Sequence, residues 1–79
     1  MSVNDVKEDT MPIYLANQNV DLTIQKITGS DKIKKHLENL GFIAGETVML
    51  INRSDDNVIL KIKGVSLAIS HELSKRILV

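Results

Sequence analysis

Two glycines four positions apart, in Leu40-Gly41-Phe42-Ile43-Ala44-Gly45-Glu46-Thr47-Val48, dictate where this chain changes from helix to strand. Upstream, Ile33, Leu37 and Leu40 follow i, i+4, i+7 spacing, which predicts an amphipathic helix from Asp31 to Leu40. Gly41 then stands where a helix takes a residue in the left-handed region, a conformation open to glycine at little steric cost. With Gly41 in that role, Phe42 falls at the position whose side chain folds back on Leu37. Ala44-Gly45 supplies a second reversal, read as a type II turn with Gly45 at the site of positive φ.

On either side of this hinge the period is that of strands. Val20, Leu22 and Ile24 alternate with Asp21, Thr23 and Gln25, and Lys26-Ile27 then breaks the alternation. A bulge or strong bend is expected there, where the strand leaves its sheet. Val48-Met49-Leu50-Ile51 is apolar on both faces, whereas Val58, Leu60 and Ile62 alternate cleanly within a strand running to Lys63. Ser54-Asp55-Asp56-Asn57 is rich in turn-forming side chains and joins these two strands, and Gly64-Val65 joins the next pair. Ser70 is placed to cap a short helical turn, His71 to Lys75, before Ile77-Leu78-Val79 returns as a strand. Met11 to Leu15 forms a short element that Pro12 confines to a sheet edge or a strand start. The sum is a mainly β chain with one or two short helices, and a small antiparallel SH3-like barrel is its natural closure.

The hinge also carries a family resemblance. Leu40 to Val48 resembles the Leu-Gly-aliphatic-x-Pro-Gly-x-x-Val signature of the ferrous iron transport protein A family, FeoA. The strand ending at Lys63, the segment Gly64-Val65-Ser66-Leu67-Ala68-Ile69-Ser70 and the closing Ile77-Leu78-Val79 are similar to that family's later motifs. Met11 to Val79 is covered. Ala44 departs from the usual proline, and Asn17-Gln18-Asn19 stands where a Pro-Gly turn is common. The resemblance implies an SH3-like domain over 11–79, the same small barrel that serves as an accessory domain in metal-dependent repressors of the diphtheria toxin repressor kind. Residues 1–10 carry two valines among polar and charged neighbours, too little to offset the entropy of ordering, and are expected to be a mobile tail.

Composition narrows the function. A chain of 79 residues makes one small domain, burying only about 60% of its unfolded surface, and a deep catalytic cleft is not expected. Ten basic and ten acidic residues give zero formal charge, which offers no global field for a phosphate backbone. Lys32, Lys34 and Lys35 are set against Asp31 and Glu38 at i, i+4 spacing and read as a solvated, charge-balanced face. With one Tyr, one Phe and no Trp, stacking on nucleic-acid bases is not expected either. The longest apolar run, Val48 to Ile51, is far short of the ~20 residues that span a bilayer, and the first ten residues lack a signal-peptide core. With no cysteine the chain fits a reducing cytoplasm.

No catalytic constellation is present in the sequence. His71-Glu72 begins like a zinc-protease helix, but the i+4 position is Lys75. Asp55-Asp56-Asn57 lacks the glycine and distal glutamate of a calcium loop and reads as a turn. Metal candidates reduce to His36, at the edge of the helix stripe, and His71, in the first turn of the second helix. Two dispersed histidines do not make the three or four convergent ligands of a stable site, so no cofactor is expected beyond weak association with Fe(II) or another divalent transition metal.

A binding module is the class that remains. The resemblance implies a cytoplasmic accessory of bacterial ferrous iron uptake that contacts a cytosolic domain of the FeoB-type iron permease. Candidate contact residues are Phe42 and Ile43 at the signature turn and Met49, Ile51 and Ile59 on the sheet. Each could instead lie in the core, and for Phe42 the cap contact favours that. A freestanding regulatory domain related to the repressor barrels, or a weak transition-metal binder, is the alternative. Gly41, Gly45 and Gly64 are expected to act structurally.

Overall fold

In a computed structural model, residues 10–79 are described; the tail expected over 1–10 lies, apart from Thr10, outside them. A 3-10 turn, Ile13–Leu15, precedes strand β1 (Asp21–Thr23), strand β2 (Lys26–Ile27) and helix α1 (Asp31–Asn39). Strands β3 (Thr47–Arg53), β4 (Asn57–Ile62) and β5 (Val65–Ser70) follow, then helix α2 (His71–Ser74) and strand β6 (Ile77–Leu78). One sheet has the order β1-β3-β4-β5 and a second pairs β2 with β6, every named strand pair being antiparallel.

The hinge has the expected chemistry. Ser30 starts α1, its side chain accepting from the Ile33 N–H at 3.3 Å. At the other end Gly41 has φ +103°, its N–H donates to the Glu38 carbonyl at 2.9 Å, and the Phe42 N–H donates to the Leu37 carbonyl at 3.0 Å. That pair of bonds is a Schellman cap, and Leu37 and Phe42 both lie in the buried core. Gly45 follows at φ +95°, with the Glu46 N–H closing on the Ile43 carbonyl at 3.1 Å, as a type II turn requires.

Gly41 therefore offers a direct test. A Cβ there would meet only Ile62 Cδ1 at 3.9 Å, so the cost of a side chain is conformational rather than steric. Gly41→Val is expected to destabilise the fold by at least about 1–2 kcal/mol, because a β-branched residue is strained at positive φ. A thermal melt unchanged by the substitution would remove the cap from the account.

The break in period at Lys26-Ile27 is a change of sheet. Thr23 pairs with Thr47 of β3, the Ile24 N–H donates to the Glu46 carbonyl at 2.9 Å, and the Gln25 N–H donates to the Leu78 carbonyl at 2.7 Å. One extended segment thus serves both sheets and closes the barrel. The other closure is at the chain ends, where Pro12 bridges Leu78 and Met11 and Val79 exchange backbone hydrogen bonds of 3.0 and 2.9 Å. The core fills the space between, with Ile13, Ile24, Leu37, Phe42, Ile69 and Ile77 meeting the inward rows of β3 and β4.

Four local expectations are corrected. The β4–β5 turn is Lys63-Gly64 rather than Gly64-Val65, since Val65 pairs with Ile62; both turn residues have positive φ, +51° and +79°, which matches the twist of the hairpin. Ile51 falls at a bulge, where the β3–β4 register shifts between Leu50 and Asn52. Leu40, counted in the helix stripe, is the C-cap residue and stays 36% exposed. The pairs Asp31/Lys35 and Lys34/Glu38 do not close; the ion pairs among the described residues are Lys63–Glu46, Lys75–Glu72 and Arg76–Glu72.

Candidate interaction surface

The described residues enclose no cavity or cleft, so the candidate surface is convex and is defined by which apolar side chains remain outside. Six large apolar side chains among the described residues are exposed, Met11, Leu15, Val20, Leu40, Ile43 and Val65, and the last three stand at the signature turn and the β4–β5 hairpin. Leu40 and Ile43, on either side of the Gly41-Phe42 cap, are 36% and 40% exposed. Val65, 54% exposed, begins β5 opposite Ile62, whose Cδ1 would lie 3.9 Å from a Cβ placed on Gly41. A salt bridge of 3.6 Å from Lys63 Nζ to Glu46 Oε2 ties the hairpin turn to the end of the signature turn. Exposed as it is, that bridge adds little stability, but it marks the two turns as neighbours.

Phe42 does not belong to this surface. It is completely buried, the outcome that the cap contact favoured, and so drops out of the candidate contact residues: the Schellman geometry that exposes Leu40 and Ile43 turns Phe42 inward. Ile43 is on the surface. Met49 and Ile59 are half-buried and stand on the outward face of the four-stranded sheet, because β4 alternates buried Val58, Leu60 and Ile62 with Asn57, Ile59 and Lys61. Met49 lies between Asp21 and Lys61 in its row, and Ile59 between Asn52 and Ala68. Ile51, at the bulge, is half-buried and has no partner on β4.

The candidates thus divide between two places. Val65 shares the inward face with Ile62, so the exposed end around Leu40, Ile43 and Val65 is on the opposite side of the sheet from Met49 and Ile59. Sequence reasoning missed Leu40 and Val65. The signal for Val65 was its place directly after a two-residue turn, where an inward-facing residue has no further strand to cover it.

The metal candidates remain apart from any ligand set. His36 is exposed on α1, and His71 packs its ring against Tyr14, with centroids 4.5 Å apart. Among the described residues no three histidines, cysteines or carboxylates converge. Nor is any helix among them long and apolar enough to cross a membrane.

The fold is shared with solved structures of low sequence identity. A crystal structure of an iron uptake regulatory protein, FeoA, matches at a TM-score of 0.79 and 20% identity, over 87% of this chain and 93% of that one. FeoA of Stenotrophomonas maltophilia, complexed with zinc and described as a prokaryotic SH3 domain protein, matches at 0.65 and 18%, over 77% and 79%. A manganese-dependent transcriptional repressor matches at 0.80 and 9%, over 90% of this chain and 41% of its own. No curated protein sequence matches. The architecture is the mainly β, SH3-like barrel expected from the strand pattern. The FeoA domain model matches residues 11–79, the whole of the described barrel but for Thr10, and the chain belongs to the FeoA family.

Proposed function

We propose that this chain is a non-catalytic accessory of ferrous iron transport that works on the cytoplasmic side by docking onto a cytosolic domain of an FeoB-type permease. Family membership supports the transport role. The observation that carries the docking reading is the exposed aliphatic group Leu40, Ile43 and Val65, assembled by the signature turn and the neighbouring hairpin. Exposed side chains of this kind contribute to association rather than to folding, since water is excluded from them only when a partner covers them. The family signature thereby has a double role: its glycines shape the turn, and the turn presents Ile43. The domain at 11–79 is the working unit in this reading.

Ile43→Asp and Val65→Asp are expected to leave the melting temperature close to that of the parent protein, as surface substitutions do. Each should weaken binding to the purified cytosolic domain of the permease by about 1–3 kcal/mol, the range of an interface anchor. Ile59→Asp, on the other face of the sheet, serves as the comparison. Titration calorimetry and iron uptake would be scored in the same variants. Normal binding and uptake in both Asp variants would sink the docking surface, and a loss confined to Ile59→Asp would move it to the outward sheet face.

A further inference from the structure

Strand β5 is an edge whose sequence reads almost the same in both directions. Residues 66–70 are Ser-Leu-Ala-Ile-Ser, with hydroxyls at the ends, aliphatic residues next and alanine at the centre. In the four-stranded sheet β5 pairs only with β4. The two-residue Lys63-Gly64 turn makes Ile62 and Val65 a hydrogen-bonded pair, and alternation then directs the N–H and C=O groups of Val65, Leu67 and Ile69 towards β4. The His71 N–H, next in that series, donates to the Asp56 carbonyl at 2.9 Å. Ser66 and Ala68 therefore aim their backbone groups, and Ser70 its N–H, away from the sheet. Among the described residues no backbone hydrogen bond meets them there.

Open edges of this kind are ordinarily protected by charge, proline or a bulge. From Val65 to Ser70 there is none of these, while charged residues stand on β3 and β4 at Arg53 and Lys61. We propose that β5 is a self-pairing edge: two copies of this chain join antiparallel about a two-fold axis at Ala68, making one continuous sheet through both barrels.

The near-palindrome makes every cross-strand neighbour compatible. Ala68 and its twin exchange both N–H···O bonds, and each Ser70 N–H reaches the second copy's Ser66 carbonyl. On the core side Leu67, half-buried, meets the second copy's Ile69. On the outward face Ile59, Ala68 and their twins form an unbroken apolar row, since Ile59 and Ala68 are already directly opposed. No like charges face one another across the axis. Because each copy uses the same edge, pairing consumes both and stops at a closed dimer. A strand of unrelated sequence could use the same backbone groups, but it would not have this matching on both faces.

Sedimentation equilibrium of the full chain across a concentration series is expected to show a reversible monomer–dimer equilibrium. Ala68→Lys puts like charges face to face at the axis and should raise the dimer dissociation constant by about tenfold or more, with the monomer's melt unchanged. The chain has no cysteine, so Ala68→Cys introduces a single thiol. Hydrogen-bonded antiparallel neighbours have Cα atoms about 5.5 Å apart, inside the span of a disulfide, so mild oxidation should cross-link Ala68→Cys and leave an Asp55→Cys control monomeric. A chain that is monomeric throughout, or a dimer that survives Ala68→Lys while Ala68→Cys fails to cross-link, overturns the proposal. If Ala68→Lys fails to fold, the cross-linking result decides alone.

Discussion

Removing Ile77-Leu78-Val79 is expected to abolish folding. These three residues close the barrel twice, through the β2–β6 ladder and through the backbone exchange between Val79 and Met11. Ile77 is fully buried, and losing such a side chain alone costs about 2–5 kcal/mol. Truncation also strands the Gln25 N–H, which donates to the Leu78 carbonyl at 2.7 Å, and uncovers the inward face of Ile27. A domain of this size sits near the lower end of the roughly 5–15 kcal/mol typical of folded proteins, so the sum exceeds what it can lose. The amide spectrum of the truncated chain should collapse to the narrow dispersion of an unfolded polypeptide. A cooperative thermal transition in that chain would mean that the first sheet is stable without the second.

Phe42→Ala is the second large effect, expected to cost about 3–5 kcal/mol by leaving a cavity where the one phenylalanine of the chain meets the core. The adjacent Ile43→Asp should cost almost nothing in stability, so two neighbouring residues report opposite sides of the same turn. Urea titration resolves them: the midpoint of Phe42→Ala should fall far below that of Ile43→Asp. Equal midpoints would contradict the inward placement of Phe42 and with it the division between core and docking surface.

Much of this turn was legible before any coordinates, because glycine at a helix end and glycine after alanine each have one economical backbone solution. The helix, its Gly41 end, the type II turn at Gly45 and the Ser70 cap all follow from such local rules. The departure of the first strand from its sheet was also legible, as a slip in alternation at Lys26-Ile27. What the slip could not reveal was its destination, β6, some fifty positions later in the chain.

Exposure was harder to read. Phe42 carried the signature and so stood among the contact candidates, although the cap contact already favoured the core, where it lies. Leu40 fits the helical stripe by spacing but falls on the C-cap, where the helix no longer presents that stripe to its neighbours. Ile51 belongs to a run that is apolar on both faces, and in such a run a bulge leaves no trace in the periodicity. Lys63 takes a positive φ because the hairpin twist demands it, a demand made by the paired strands rather than by lysine itself.

The backbone exchange between Met11 and Val79 has a consequence for modularity. The polypeptide enters and leaves the barrel at a single point, so the fold is attached to whatever surrounds it by one short stem rather than across its body. A unit with that geometry can be joined to a larger chain, or spliced into a loop, without stretching or dividing its core.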